Sequence, residues 1–297
     1  MSYLVDDLIE MGILCFRAGN FGEAIKYFNQ AIELNSDDAD AYYNRGIVKS
    51  ELKDHEGAIE DYNKAIELNP DDAAAYLNRG NEKYYLKNYE GAIEDYNKAI
   101  KLNPDYADAY YNRGNEKYYL KNYEGAIEDY NKAIELNPDY AGAYYNRGNA
   151  KLELKNYEDA IEDYNKAIEL NTDYADAYHN RGNLKNYYFK DHESAIVDYN
   201  KAIEYNSDDS IAYYNRGNAK LELKNYEGAI EDYNKAIELD HDYAYTYYNR
   251  ANAKYNLENY EGVIEDLNKV VALTDDEAFK REILSGIKEC EEKLKQK

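Results

Sequence analysis

The sequence predicts an all-α fold in which antiparallel helix pairs stack on one another, and two observations predict it. The segment NYEGAIEDYNKAIELNP begins at Asn88 and again at Asn122, which is a shift of 34 residues. Within each repeated block, apolar residues recur with the spacing of an α-helix rather than that of a strand. A fixed period of this length is typical of stacked repeats, whose units bury their apolar faces against their neighbours.

The period divides the chain into eight blocks and a capping segment, which we expect to form a single domain over residues 1–297. The blocks are 5–38, 39–72, 73–106, 107–140, 141–174, 175–209, 210–243 and 244–277, and the capping segment is 278–297. Block 175–209 is one residue longer than the others, close to Tyr187-Tyr188-Phe189, and we expect a local bulge there. The capping segment carries its own apolar stripe, which suits a terminal helix with one solvated face.

Each block is predicted to contain two helices joined by a short turn. In block 107–140 the first half carries small and aromatic residues at helical spacing, and one apolar stripe runs from Tyr123 to Leu136. The turn between them is Lys121-Asn122. We expect Asn122 to adopt the left-handed conformation that ends a helix, because asparagine tolerates it best after glycine. Prolines stop the second helix in three blocks, at Pro70, Pro104 and Pro138.

An arginine recurs on the first helix of the blocks, on the side that faces the second helix. A buried arginine needs a partner, and an aspartate recurs on the second helix at the same frequency. We therefore predict repeated Arg–Asp bridges within the helix pairs. The arginines are Arg45, Arg79, Arg113, Arg147, Arg181, Arg216 and Arg250, and the aspartates are Asp61, Asp95, Asp129, Asp163, Asp198, Asp232 and Asp266.

These blocks resemble the tetratricopeptide repeat over residues 5–277. The matching positions hold an aromatic residue and a close-packing glycine on the first helix and two alanines on the second, as at Tyr42, Gly46, Ala58 and Ala65. The arginine series departs from the family pattern, which usually has leucine there. The resemblance implies a right-handed α-solenoid superhelix of stacked antiparallel helix pairs, with the first helices lining a concave inner wall.

Charge and composition limit the classes of partner. The chain has 36 basic and 60 acidic side chains and a formal net charge of −24, so we expect neither nucleic acid nor an anionic membrane as a partner. No stretch is apolar enough to span a bilayer. The two cysteines, Cys15 and Cys290, lie far apart in the sequence, which favours a reducing, cytoplasmic setting.

Motifs for catalysis and metal binding are not visible in the sequence. The four histidines form no H-E-x-x-H pair, and there is neither a phosphate-binding glycine loop nor the spacing of a calcium loop. The paired carboxylates are more simply explained as solvated faces of repeating helices. We therefore predict a protein that is not an enzyme and that has no cofactor and no metal.

Two ladders of asparagine are predicted to lie on the inner wall, because a helix turns by about 100° per residue. One ladder includes Asn115 and the other includes Asn112. A carboxamide offers both a donor and an acceptor, so a ladder can match the N–H and C=O groups of an extended peptide whatever its side chains are. The alternative is that one ladder bonds to adjacent helices and holds the stack.

Tyrosines are the second predicted element of the site. Block 107–140 has Tyr118 and Tyr119 where block 39–72 has a serine and a glutamate, so the aromatic density is local to the middle blocks. Tyrosine offers a large contact area at a low entropic cost. The predicted peptide-binding residues are Asn81, Asn115, Asn149, Asn183, Asn218, Asn112, Asn146, Tyr84, Tyr85, Tyr111, Tyr118, Tyr119, Tyr145 and Asp108.

This pattern predicts a protein–protein interaction scaffold that binds an extended, neutral-to-basic peptide segment of a partner protein. Chaperone-binding members of the resembled family clamp an acidic C-terminus with lysine, arginine and asparagine. At the matching positions this chain has Tyr111, Tyr145 and His179, so that clamp is not present. An acidic inner wall instead favours a basic partner.

The sequence leaves two alternative functions open. The first is self-assembly, in which the acidic first helix docks on a basic tail and chains stack head to tail as a weak homo-oligomer. The tail lysines are Lys293, Lys295 and Lys297. The second is a regulatory subunit whose enzyme is a separate chain.

Overall fold

The computed structural model describes residues 2–296, and over this range it contains seventeen α-helices, one π-helical turn and no strand. The helices are α1 (Ser2–Arg17), α2 (Phe21–Leu34), α3 (Ala39–Glu51), α4 (His55–Leu68), α5 (Ala73–Tyr85), α6 (Tyr89–Leu102), α7 (Ala107–Tyr119), α8 (Tyr123–Leu136), α9 (Ala141–Glu153), α10 (Tyr157–Leu170), α11 (Ala175–Asn183), α12 (His192–Tyr205), α13 (Ser210–Glu222), α14 (Tyr226–Leu239), α15 (Ala244–Asn256), α16 (Tyr260–Leu273) and α17 (Glu277–Gln296). The π-helical turn is Leu184–Tyr188.

The chain divides into two compact units, one ending at Lys155 and the other beginning at Asn156. In the first unit α1 packs on α2, α3 on α4, α5 on α6 and α7 on α8, and each pair also contacts the next. In the second unit α11 packs on α12, α13 on α14 and α15 on α16, and α17 packs on α16. The predicted all-α architecture of stacked helix pairs is confirmed.

A tyrosine on the second helix fills the space that a glycine leaves on the first. Tyr130 is only 1% exposed, and a Cβ added at Gly114 would lie 2.7 Å from its ring. The neighbouring Ala126 and Ala133 are fully buried, so the two helices approach closely. The same contact recurs between Gly80 and Tyr96 in the preceding pair. Close packing therefore explains why these positions are small on one helix and aromatic on the other.

The predicted Arg–Asp bridges are confirmed within each unit. Arg113 donates from Nε to Asp129 Oδ2 at 2.9 Å and from Nη2 to Oδ1 at 2.5 Å. Its third nitrogen donates to Asn97 on the preceding helix at 2.6 Å, and Lys117 lies 2.8 Å from the same aspartate. The equivalent pairs are Arg45–Asp61, Arg79–Asp95, Arg181–Asp198, Arg216–Asp232 and Arg250–Asp266.

The turn inside each pair differs from the expectation at Asn122. The left-handed residue is Lys121, with a φ of 61°, whereas Asn122 has a φ of −87° and caps α8 by accepting from the Gly125 N–H at 3.1 Å. Asn122 is therefore needed as an N-cap, where its side chain satisfies a free amide. The residue before it adopts the left-handed conformation instead. The equivalent residues in other turns are Lys53, Lys87, Lys155, Lys190, Lys224 and Glu258.

We expect Lys121→Gly to stabilise the protein by about 0.5 kcal/mol, because glycine adopts a positive φ without a steric cost. The measurement is the urea midpoint of unfolding. Lys132→Gly, on the same unit but inside α8, is the matched control and should destabilise by about 1 kcal/mol. A lower midpoint for Lys121→Gly would contradict the assignment of strain to this turn.

The extra residue of block 175–209 is accommodated by the π-helical turn, which confirms the expected bulge and places it at the end of the first helix. The N–H of Phe189 donates to the C=O of Leu184, at 3.1 Å, which is the i→i+5 bond of a π-helix. Asn186 in this turn is buried, and its Oδ1 accepts a hydrogen bond from His192 Nδ1 at 2.6 Å. The inserted residue thus leaves the helix pair intact.

The terminal helix α17 covers the last pair with Ile283, Ile287 and Cys290, which are all buried. Lys293, one of the lysines invoked for self-assembly, bonds to the Tyr255 hydroxyl and lies 4.6 Å from the centre of that ring. Lys297 lies outside the described residues. No helix within residues 2–296 is long and apolar enough to cross a membrane.

Candidate functional site

A cavity of about 660 Å³ lies in the first unit. Its walls come mainly from α3, α5, α7 and α9, with one tyrosine each from α4, α6 and α8. We call it the tyrosine cavity, and its lining residues are Ile47, Ser50, Glu51, Tyr62, Asn78, Asn81, Glu82, Tyr84, Tyr85, Tyr96, Tyr111, Asn112, Asn115, Glu116, Tyr118, Tyr119, Tyr130, Tyr145, Asn146 and Asn149.

The tyrosine cavity brings together most of the residues predicted to bind a peptide. Those that line it are Asn81, Asn112, Asn115, Asn146, Asn149, Tyr84, Tyr85, Tyr111, Tyr118, Tyr119 and Tyr145. Asn183 and Asn218 belong to the second unit, at the end of α11 and on α13. Asp108 is not among the lining residues, and it accepts a hydrogen bond from the Tyr140 hydroxyl at 3.0 Å.

Both asparagine ladders are hydrogen-bonded to the scaffold. Asn115 Oδ1 accepts from the Tyr130 hydroxyl and from Asn146 Nδ2, each at 2.9 Å. Asn81 Oδ1 accepts in the same way from a buried tyrosine and from Asn112 Nδ2. Since a carbonyl oxygen has two lone pairs, these oxygens are used within the protein. Any hydrogen bond that Asn81 or Asn115 makes to a ligand is therefore donated from Nδ2.

The second unit contains the same arrangement of asparagine hydrogen bonds. Asn183 accepts from the Tyr199 hydroxyl and from Asn215 Nδ2, and Asn218 accepts from Tyr233 and Asn249. The ladder was predicted from helical angle alone. Angle gives the direction of a side chain but not its partners, so sequence reasoning could not decide between a ligand-binding and a scaffolding role.

Exposed tyrosine rings form part of the cavity wall. Tyr85 and Tyr119 are 61% and 55% exposed, and the Tyr84 ring lies 5.5 Å and 5.9 Å from their centres. A hydrogen bond with Tyr119 and burial raise the pKa of Tyr84, and burial raises that of Tyr118 to about 12. These phenols are therefore neutral at physiological pH and offer both ring faces and hydroxyl groups to a ligand.

Sequence reasoning missed two buried glutamates in the cavity wall. Glu82 and Glu116 are each only 2% exposed, and they occupy a slot where other repeats have small or apolar residues such as Val48 and Ala150. An acidic residue in a packing slot is the signal that could have found them. Glu116 Oε2 is buried without a hydrogen-bond partner, and burial raises the pKa of this carboxyl to about 7.

No group of three or more histidine, cysteine or acidic side chains that could hold a metal ion occurs in the described part of the chain. The site is thus a polar, tyrosine-walled recess between stacked helix pairs. This combination defines the class as a helical repeat protein with a tyrosine-lined recess.

Family models extend this result to a particular family. One described as TPR repeat matches residues 12–52, 80–115, 114–155, 148–185 and 187–224, and one described as tetratricopeptide repeat matches 39–72 and 210–243. These matches cover most of the chain. The chain belongs to the tetratricopeptide repeat family, whose members bind other proteins or peptides.

Solved structures give the same fold. YrrB, described as a TPR protein with an unusual peptide-binding site, is 28% identical, with a TM-score of 0.53 over 62% of this chain and 95% of its own. MamA is 30% identical, with a TM-score of 0.52 over 55% of this chain and 94% of its own. PilF of Pseudomonas aeruginosa shares the fold at 21% identity, with a TM-score of 0.64 over 71% of this chain and 96% of its own. No curated protein matches by sequence.

Proposed function

We propose that this protein is an interaction scaffold that binds an extended peptide segment of a partner protein in the tyrosine cavity. The observation that carries the proposal is the cavity itself, which joins exposed tyrosine rings to a row of carboxamides on successive repeats. Tyrosine supplies much of the contact energy in protein interfaces because its ring is large and has few rotatable bonds. The peptide-binding site named for YrrB, a relative of the same fold, supports the proposal.

The cavity acts chiefly as a hydrogen-bond donor, and the peptide supplies the acceptors. The carboxamide oxygens of Asn81 and Asn115 are already occupied by the scaffold, so their amide nitrogens donate to peptide C=O groups. Neutral phenols such as Tyr118 can also donate. A donor-rich wall suits an extended main chain, whose carbonyl groups are not used in a helix.

Charge selects a neutral or basic partner. Among the described residues, none of the side chains that line the tyrosine cavity is a lysine or an arginine, whereas Glu51, Glu82 and Glu116 contribute carboxyl groups. The net charge of the whole chain, −24, steers a basic segment toward this surface and raises its association rate at low salt.

The test measures binding of a labelled, basic, proline-containing peptide library by fluorescence anisotropy. We expect Tyr119→Ser to weaken binding by about tenfold, because it removes one exposed ring from the cavity opening. Tyr119 is the better probe than Asn115, since Asn115→Ala would leave the buried Tyr130 hydroxyl without its acceptor and would destabilise the fold.

Tyr245→Ser is the matched control. Tyr245 is 57% exposed, close to the value for Tyr119, but it lies on α15 in the second unit. Its loss should leave the affinity unchanged. An equal loss of affinity in both variants, or no binding by the wild-type protein, would rule out the tyrosine cavity as the peptide site.

A further inference from the structure

Two glutamates in consecutive repeats occupy the same slot but have different surroundings. Glu82 is satisfied within the chain, because Ser50 Oγ donates to its Oε1 and His55 Nδ1 lies against its Oε2, both at 2.6 Å. A hydroxyl and an imidazole from the preceding repeat thus hold this carboxylate. Glu82 shows which groups the slot needs when it carries an acid.

The equivalent partners are absent around Glu116. One period after Ser50 and His55 the sequence has Tyr84 and Tyr89, so no imidazole reaches this carboxyl. Its Oε2 is left buried without a partner, on a side chain that is 2% exposed and that lines the tyrosine cavity. A buried polar atom without a partner costs free energy that a suitable ligand group can recover.

The surroundings of Glu116 favour a cation as that group. The rings of Tyr84, Tyr118 and Tyr119 line the same cavity, and the faces of aromatic rings attract ammonium groups. Glu116 adds a formal negative charge whenever it is ionised. A cation that reaches Oε2 would therefore gain both the ion pair and the ring contacts, in a place where little water competes.

We infer that Glu116 and the tyrosines around it form a subsite for the side chain of a lysine in the bound peptide, in which the lysine ammonium takes the role that His55 plays at Glu82. This inference rests on the proposed function. Lysine fits because its ammonium can donate to the unpartnered Oε2, and because its apolar stem can lie along the rings while the ammonium reaches inward.

The test compares two labelled peptide libraries that differ only at the central residue, which is lysine in one and norleucine in the other. The flanking positions are randomised over uncharged residues. Norleucine keeps the apolar stem and removes the charge. We expect the wild-type protein to bind the lysine library about tenfold more tightly.

Three variants locate that preference. Glu116→Gln should reduce the preference to roughly twofold or less, because it removes the charge and keeps the shape. Glu128→Gln, on an exposed position of α8 that does not line the tyrosine cavity, should retain it. The double variant Tyr84→Ser, Tyr89→His builds around Glu116 the partners that Glu82 already has, so it should also abolish the lysine preference although Glu116 is still present.

The outcomes separate this inference from the proposed function. Equal binding of the two libraries to the wild-type protein overturns the lysine subsite and leaves peptide binding intact. A lysine preference that persists in Glu116→Gln also overturns it, whatever the double variant shows. Binding of neither library contradicts the proposed function, and with it the subsite. Circular dichroism of each variant confirms that the helices are formed.

Discussion

Arg113→Ala is expected to lower the free energy of unfolding by about 3 kcal/mol, because it breaks a buried ion pair and leaves Asp129 with one cation fewer. Asp129 is 3% exposed, and Arg113 holds it with two parallel hydrogen bonds. The same guanidinium bonds to Asn97 and lies 5.5 Å from the Tyr110 ring centre. One substitution therefore weakens contacts among three helices. The measurement is the urea dependence of the helical circular dichroism signal.

A surface pair provides the control for Arg113. Lys132 and Glu135 form an ion pair at 2.8 Å on α8, with the glutamate side chain 69% exposed. Such pairs contribute little because water and salt screen them, so Lys132→Ala should change stability by no more than about 0.5 kcal/mol. Peptide affinity should stay unchanged in Arg113→Ala at temperatures where it is folded, because Arg113 does not line the tyrosine cavity. Similar destabilisation by both variants would contradict a special role for the bridge.

The second large effect concerns the pH dependence of stability. Burial raises the pKa of Glu116 from its ordinary 4.5 to about 7, so between these values the folded protein keeps a proton that the unfolded chain releases. The folded state is favoured at low pH, and this contribution is lost as pH rises through 7. Glu116→Gln removes the titration. From pH 4.5 to pH 8, we expect the wild type to lose on the order of 2 kcal/mol relative to this variant.

Comparing the wild type with Glu116→Gln cancels the other contributions to the pH dependence of stability. The carboxamide of Glu116→Gln is also buried, but its cost does not change with pH. Tyr84 and Tyr96, the phenols whose pKa values are raised in part by the charge of Glu116, remain neutral over this range. Glu128→Gln, on an exposed position of α8, should follow the wild type. If the stabilities of the wild type and Glu116→Gln run parallel from pH 4.5 to 8, Glu116 is ionised throughout and the assigned shift is wrong.

The fold could be predicted from the sequence because the features that produce it repeat along the chain. The 34-residue shift, the helical stripes and the matched Arg113 and Asp129 series all recur, so each repeat checks the others. Asn122 was misassigned because asparagine suits two adjacent positions of a helix–helix turn, the left-handed residue and the N-cap. The backbone φ of Lys121 and of Asn122, together with the hydrogen bond to Gly125, distinguishes them.

The candidate site could be predicted only in part, because it depends on differences between repeats. Helical angle placed Asn115 and Tyr119 on one arc of α7, and both residues line the tyrosine cavity. It could not reveal that the Asn115 oxygen is shared by Tyr130 and Asn146, since those contacts come from other helices. Glu116 was overlooked because its slot lies outside the arc assigned to the inner wall. Its burial without a partner is a property of packing in three dimensions.

The arginine that joins three helices has an evolutionary consequence. Arg113 contacts Asn97 in the preceding repeat and Asp129 in its own, and Arg79 makes the same two contacts with Asn63 and Asp95. These two junctions are chemically the same. Duplication or loss of one whole repeat would therefore restore the same Arg–Asn and Arg–Asp contacts between neighbouring repeats. The number of repeats can then change during evolution, while selection acts on the few positions that differ from one repeat to the next.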